Sequence, residues 1–264
     1  MSLLGGGKSP FDDDDGSADP RAAATLAAFG SGLGSEHAAL TALAAARLLV
    51  PIVAAPAETA GQDRSGDPGA GPARAGGGDH GAEMSLPTLI GRDGRAAIPA
   101  FTSLDTLARW DQRARPVPAL AGSVWRAARD SSSAVVVDVA GPVPLAIEGA
   151  RLAALADGQP VPLPHQDPDV LAAVRAAASG EPAIAALRLA AGTGPAAAGH
   201  RGDDGEPGGG SDLQVELTLA DGCAAAAGEA AARRLGSDLM NQLGARLRRG
   251  ITIALAGSGG HGGS

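Results

Sequence analysis

The chain has 264 residues, a net charge of −8 and 44% apolar residues, yet only three Phe, two Trp and no Tyr. That length allows one or two domains, with a core built from Leu, Val, Ile and Ala. An acidic chain with so few stacking aromatics lacks the signature of a nucleic-acid binder, and the single Cys223 excludes an intramolecular disulfide and a multi-cysteine zinc site.

The opening stretch, MSLLGGGKSPFDDDD, has no apolar run of the kind a signal peptide needs. Residues 1–17 read as a disordered tail. Asp19-Pro20 predicts a helix through Phe29, with Asp as the cap and Pro in the first turn. A second helix is predicted from Ser35 to about Arg47, with Leu40, Leu43 and Arg47 at helical spacing. Residues 48–54 read as a buried strand. The apolar run around it, LLVPIVAAPA, is about half of the roughly 20 residues a bilayer span requires. The expected setting is therefore cytoplasmic, with no membrane contact. Residues 56–82 are a flexible loop by their Gly and Pro content.

Two short apolar runs, 85–90 and 96–101, flank Gly91-Arg92-Asp93-Gly94-Arg95. They predict a β-hairpin turning at Asp93-Gly94. Thr102 and Asp105 suggest a capping box for a helix over 104–110. Arg115-Pro116-Val117-Pro118 reads as a break, followed by a helix at 121–129. Strands at 134–139 and 143–148 are joined through Gly141-Pro142, and a helix at 150–156 closes the unit at Asp157-Gly158.

The second unit starts with a helix at 167–178, opened by Asp167-Pro168. A strand at 184–190 and a flexible loop at 192–211 follow. Residues 213–219 alternate apolar and polar as a half-buried strand does. A long helix over about 223–249 carries Leu235, Leu239, Leu243 and Leu247 as a buried stripe. A last strand spans 251–255, and residues 257–264 form a glycine-rich tail. The pattern implies α+β architecture: one module over 18–160 and another over 161–256, with mixed or antiparallel sheets and packed helices.

The run LPTLIGRDGRAAIPAFTSLDTLARW, followed by SSSAVVVDVAGPVPLAIEGARLAAL, resembles the N-terminal domain of the SseB (enhanced serine sensitivity) family. The resemblance rests on Pro99, Phe101, Thr102 and Ser103 at a strand end, and on Asp138, Gly141 and Pro142 at a corner. It covers roughly residues 33–160, and the second module is similar to the family's C-terminal domain. It implies an intracellular α+β protein whose family name refers to serine sensitivity. Some members carry a rhodanese-like label.

Residues 84–160 hold eight Arg against seven acidic residues, a local balance unlike that of the acidic flanks. Arg92, Arg95, Arg126 and Arg129 are the candidate anion- or partner-binding face, because guanidinium forks suit carboxylates and phosphates. The competing reading of Arg92 and Arg95 is a plain hairpin turn. If the rhodanese label reflects chemistry, Cys223 at a predicted helix start is the candidate sulfur carrier. Gly7-Lys8-Ser9 lacks the earlier glycine and strand of a P-loop, and the glycines from 257 have no helix after them, so neither is a nucleotide site. The five histidines show no ligand spacing. No catalytic set, cofactor or metal is expected. The expectation is a non-enzymatic interaction or regulatory module with a protein partner or self-association, the alternatives being a sulfurtransferase through Cys223 or a small-anion sensor.

Overall fold

The computed structural model describes residues 11–54, 84–92, 94–193 and 210–255. The predicted loop 56–82, most of the loop 192–211 and the tail 257–264 lie outside these residues, as do Asp93, His80, His200 and His261.

Helix α1 (Pro20–Gly30) begins where Asp19 accepts a hydrogen bond from the Ala22 amide, and α2 (Glu36–Leu43) is capped by Ser35. The helix predicted to run to Arg47 stops four residues early. Arg47 instead opens β1 (Arg47–Ala54), where its backbone pairs with Leu120. Its guanidinium reaches Asp14 at 2.7 Å and the Thr102 carbonyl at 3.0 Å. Gly16 also accepts from the Leu104 amide at 2.9 Å. Residues 11–17, grouped by composition with the tail, are thus tied to the first module.

Three sheets follow. β1 lies between β2 (Met84–Ser85) and β5 (Arg115–Leu120), antiparallel to both. β5 corrects the expectation of a break at Arg115-Pro116-Val117-Pro118. Pro116 and Pro118 stand opposite Pro51 and Leu49. Leu49 spends its amide and carbonyl on Phe101, at 2.7 and 2.8 Å on the far side of β1. Positions 49 and 51 therefore do not bond into the β1–β5 ladder, and the prolines cost it no donor.

The second sheet runs β3 (Leu89–Ile90), β4 (Ala96–Ala100), β6 (Ala134–Val137) and β7 (Leu145–Ile147), with β4 and β6 parallel. The β3–β4 hairpin forms as expected: Gly91 donates to the Arg95 carbonyl and Gly94, at φ +79°, donates to Gly91. Ser85 belongs to the first sheet instead. Between these strands sit α3 (Leu104–Trp110), α4 (Ala121–Asp130) and α5 (Gly149–Ala156). The capping box of α3 uses Ser103 and Thr106, one residue later than the Thr102 reading. Phe29, Trp125, Leu40 and Ile147 are completely buried in the core of this module. A satellite cluster joins Leu49, Phe101 and Leu107 to Trp110.

The second module stacks α6 (Pro168–Ala178) and α7 (Ala225–Leu243) on a sheet ordered β10 (Ile251–Leu255), β9 (Leu213–Leu219), β8 (Ile184–Ala191). β9 pairs parallel with β10 and antiparallel with β8. α7 ends at Leu243, short of the predicted Arg249, because tight turns replace it: Arg246 and Leu247 both donate to the Leu243 carbonyl. Leu247 still enters the core made by Val170, Val174, Val215, Leu235 and Leu239. The architecture is α+β with mixed and antiparallel sheets, as expected.

The residues at the Phe-Thr-Ser strand end meet those of the Asp-x-x-Gly-Pro corner. Asp138, buried and at φ +50°, accepts from the Thr102 amide at 2.9 Å and from its hydroxyl at 2.7 Å. Asp138→Ala strands both donors in the interior, each at a cost of about 1–3 kcal/mol. A loss of roughly 2–6 kcal/mol in urea-unfolding free energy is expected, and a variant within experimental error of wild type would contradict the corner's role.

Candidate functional site

Beside this corner lies a groove of about 530 Å³. Its walls are Ala23, Leu26 and Ala27 of α1, opposed by Pro142 and Val143, with Thr102, Ser103, Thr106 and Asp138 at its polar end. These polar groups are already engaged: Asp138 with Thr102, and Ser103 with Thr106 across the α3 cap. Ala23 and Ala27, four residues apart on α1, are exposed. The surface left for a ligand is apolar.

A second assembly of charge lies where the two modules meet. Arg151 of α5 is ion-paired with Glu36 of α2, and both are buried. Glu36 also receives Arg246 at 3.2 Å, and Arg246 reaches the fully buried Asp167, the cap of α6, at 2.5 Å. Two further contacts flank this cluster. Arg248 stacks 4.5 Å from the Phe29 ring and donates to the Gly30 carbonyl. Asp169 accepts from the Ala150 amide at 2.8 Å, capping α5 from the other module. Gly149 makes this approach possible, since a Cβ there would lie 2.1 Å from the Asp169 carboxylate and φ is +59°. Arg246, Arg248 and Arg249, which the sequence pattern places in the last turn of the long helix, lie beyond its end and reach separate partners, Arg249 holding Asp212 at 2.8 Å.

Burial raises the Glu36 carboxyl above its ordinary range, outweighing the pull of Arg151 and Arg246. Burial lowers Arg151 more than Glu36 raises it. For Arg246 burial also lowers, but Glu36 and Asp167 reverse the sign and the net shift is upward.

The four predicted arginines divide. Arg95 and Arg129 line one shallow groove of about 270 Å³ together with Ser132 and Ser133. Each already faces a carboxylate, Glu148 for Arg95 and Asp157 for Arg129. Arg92 is exposed on the hairpin and Arg126 is exposed on α4, and neither is among the residues lining that groove. Cys223 is half-buried before α7, with its sulfur 3.5 Å from the Ala224 carbonyl, an acceptor. Among the described residues no three His, Cys, Asp or Glu side chains are placed to hold a metal ion, and no helix is long and apolar enough to cross a membrane.

The sequence carries a signal for the junction. Glu36 stands at helical spacing with Leu40 and Leu43, and Arg151 with Leu155, so each puts a charge on an apolar stripe. A charge in that position needs a buried partner.

The fold and motifs define an α+β protein whose first module is built on the Thr102–Asp138 corner. The family model for the SseB protein N-terminal domain matches residues 22–154, and the chain belongs to the SseB family. The match begins earlier than the resemblance read from the sequence and takes in all but the first two residues of α1. Comparisons with curated proteins and with solved structures return no match.

The junction yields a pH dependence of defined sign. The folded protein binds the Glu36 proton more tightly than the unfolded chain does. This contribution to stability is fully present below the ordinary glutamate value of about 4.3 and is lost as pH rises through the raised folded value. Measured against Glu36→Gln, the wild-type unfolding free energy should be relatively greater near pH 4 than near pH 7. A wild-type advantage that grows with pH would refute the assignment.

Proposed function

We propose that this SseB-family chain is a cytoplasmic, non-enzymatic interaction module whose first module binds an apolar segment of a protein partner. The observation that carries this reading is the groove between α1 and the Asp138–Val143 corner. Its polar atoms are consumed internally, so what it offers a ligand is apolar wall from Ala23, Leu26, Ala27 and Val143. A pocket of this size with few free polar groups favours apolar contact over chemistry. The match over residues 22–154 covers both walls. We also read the second module as the family's C-terminal domain, on the strength of its α+β order after the matched region.

A small-anion sensor is the second reading, favoured by the shared groove of Arg95 and Arg129. An anion there has to displace Glu148 and Asp157, both in exposed pairs that contribute little to stability. Arg92 and Arg126 would then widen the basic surface around it.

One comparison separates the two. The full chain, an Ala27→Arg variant and an Arg95→Ala/Arg129→Ala variant are each used for affinity capture from the source cells, followed by native mass spectrometry. The groove reading expects a protein mass held by wild type and by the double variant, and reduced at least tenfold by Ala27→Arg. Unchanged capture by Ala27→Arg overturns it. A small anion lost only from the arginine variant establishes the sensor instead, and a turnover activity abolished by one polar substitution removes the non-enzymatic claim.

A further inference from the structure

Helices α1, α4 and α5 close in the same way. After α1 the Gly32 amide donates to the Phe29 carbonyl and the Leu33 amide to the Ala28 carbonyl; after α5 Gly158 and Gln159 do the same to Leu155 and Ala154. After α4 the Ser132 amide donates to the Arg129 carbonyl at 3.0 Å and the Ser133 amide to the Ala128 carbonyl at 2.8 Å. The residue that closes such an end takes a left-handed conformation, which suits glycine. Gly32 and Gly158 have φ +74° and +66°, but at α4 the position is held by Ser132 at φ +53°. A side chain kept where the backbone disfavours one points to a use for it.

The fold makes no use of that hydroxyl. Ser131 donates to the Ala127 carbonyl at 2.9 Å and to the Ser133 hydroxyl at 3.2 Å. Ser132 is exposed, and among the described residues its hydroxyl makes no hydrogen bond. It lines the 270 Å³ groove together with Arg95, just before β4, and Arg129, in the last turn of α4. One chain position thus offers a free hydroxyl beside two guanidinium groups from different elements.

We propose that Ser132 is a phosphorylation site whose phosphate is received by Arg95 and Arg129. A protein kinase transfers the γ-phosphoryl group of a nucleoside triphosphate. The bond to the β-phosphate oxygen breaks, the bond to Ser132 Oγ forms, the nucleoside diphosphate leaves and the hydroxyl proton passes to a base of the kinase. The acids around the two arginines are Glu148, Asp157 and Asp130, the last 3.3 Å from Arg129 Nε. Asp169, behind Gly149, is spent on the Ala150 amide. A phosphate carries about twice the charge of a carboxylate and has three acceptor oxygens, so it displaces exposed carboxylates from guanidinium forks. The end of α4 disfavours an anion, and Arg129 supplies the cation that offsets it. This site goes beyond the apolar-groove reading and does not depend on it. It differs from a free-anion sensor because the anion is covalently part of the chain.

Two measurements on the full chain test it. Trypsin cleaves after Arg129 and Arg151, and the segment 130–151 has no hydroxyl side chains other than those of Ser131, Ser132 and Ser133. Mass spectrometry of this segment from the source cells should find a phosphate, localised to Ser132. A segment recovered only unmodified, or modified at Ser131 or Ser133 instead, overturns the proposal. The second measurement is phosphorus NMR titration of protein with phosphoserine installed at position 132 during translation. Pairing with the two arginines should lower the second phosphate pKa by about half a unit or more from its ordinary value of about 6. Arg95→Ala/Arg129→Ala should reverse the shift, because the neighbouring carboxylates alone raise it. An unshifted or raised value in the otherwise wild-type chain overturns the assignment of the arginines. Ala27→Arg should leave both results unchanged, so this proposal and the apolar-groove reading fail separately.

Discussion

Four charges meeting at one point, Glu36, Arg151 and Asp167 buried and Arg246 half-buried, hold the two modules of this protein in register. Glu36, Arg151, Arg246 and Asp167 come from α2, α5, the turn after α7 and the cap of α6. Two carboxylates and two guanidinium groups sum to zero, which is the condition under which charge can be taken out of water at all. The arrangement is still costly, and an apolar replacement of the whole set could be as stable. What the charges add is definition. Removing any one leaves another uncompensated in the interior, so each module supplies what the other needs. The Asp169 cap on α5 and the Arg248 stack on Phe29 are placed by the same docking.

This constraint separates structural from available chemistry. Most of the conspicuous polar groups serve the fold. Asp138 and Thr102 close a corner, and Arg47 fastens residues 14–17 and the Thr102 carbonyl to β1. The family motif is therefore a folding device, and the surface it frames is the apolar groove along α1. Binding by such a surface depends on shape and area removed from water, with specificity from whatever polar groups a partner brings to the rim.

Much of the fold was legible because local physics set the element ends. Asp19-Pro20 and Asp167-Pro168 start helices by side-chain capping and a fixed φ, and the alternation of 213–219 marks a strand buried on one face. The misses are places where distant residues decide. Pro116 and Pro118 are harmless in β5 only because Leu49 bonds to Phe101 on the opposite side of β1, a partner 52 positions away. The basic run near the C-terminus reads as helix-end charge until Glu36, Asp212 and Phe29 are brought to it by tertiary packing. Of the four candidate arginines, the sequence could show their local excess but not that Arg95 and Arg129 share a groove while Arg92 and Arg126 stand apart.

The buried junction should make the two modules one cooperative unit. Both tryptophans, Trp110 and Trp125, lie in the first module, so their fluorescence reports that module alone, whereas far-ultraviolet circular dichroism reports the helices of both. Urea unfolding followed by the two signals on the same samples is the direct test. The account predicts coincident transitions with one midpoint. A circular dichroism transition that separates from the tryptophan transition would show that the modules unfold independently, and would contradict it.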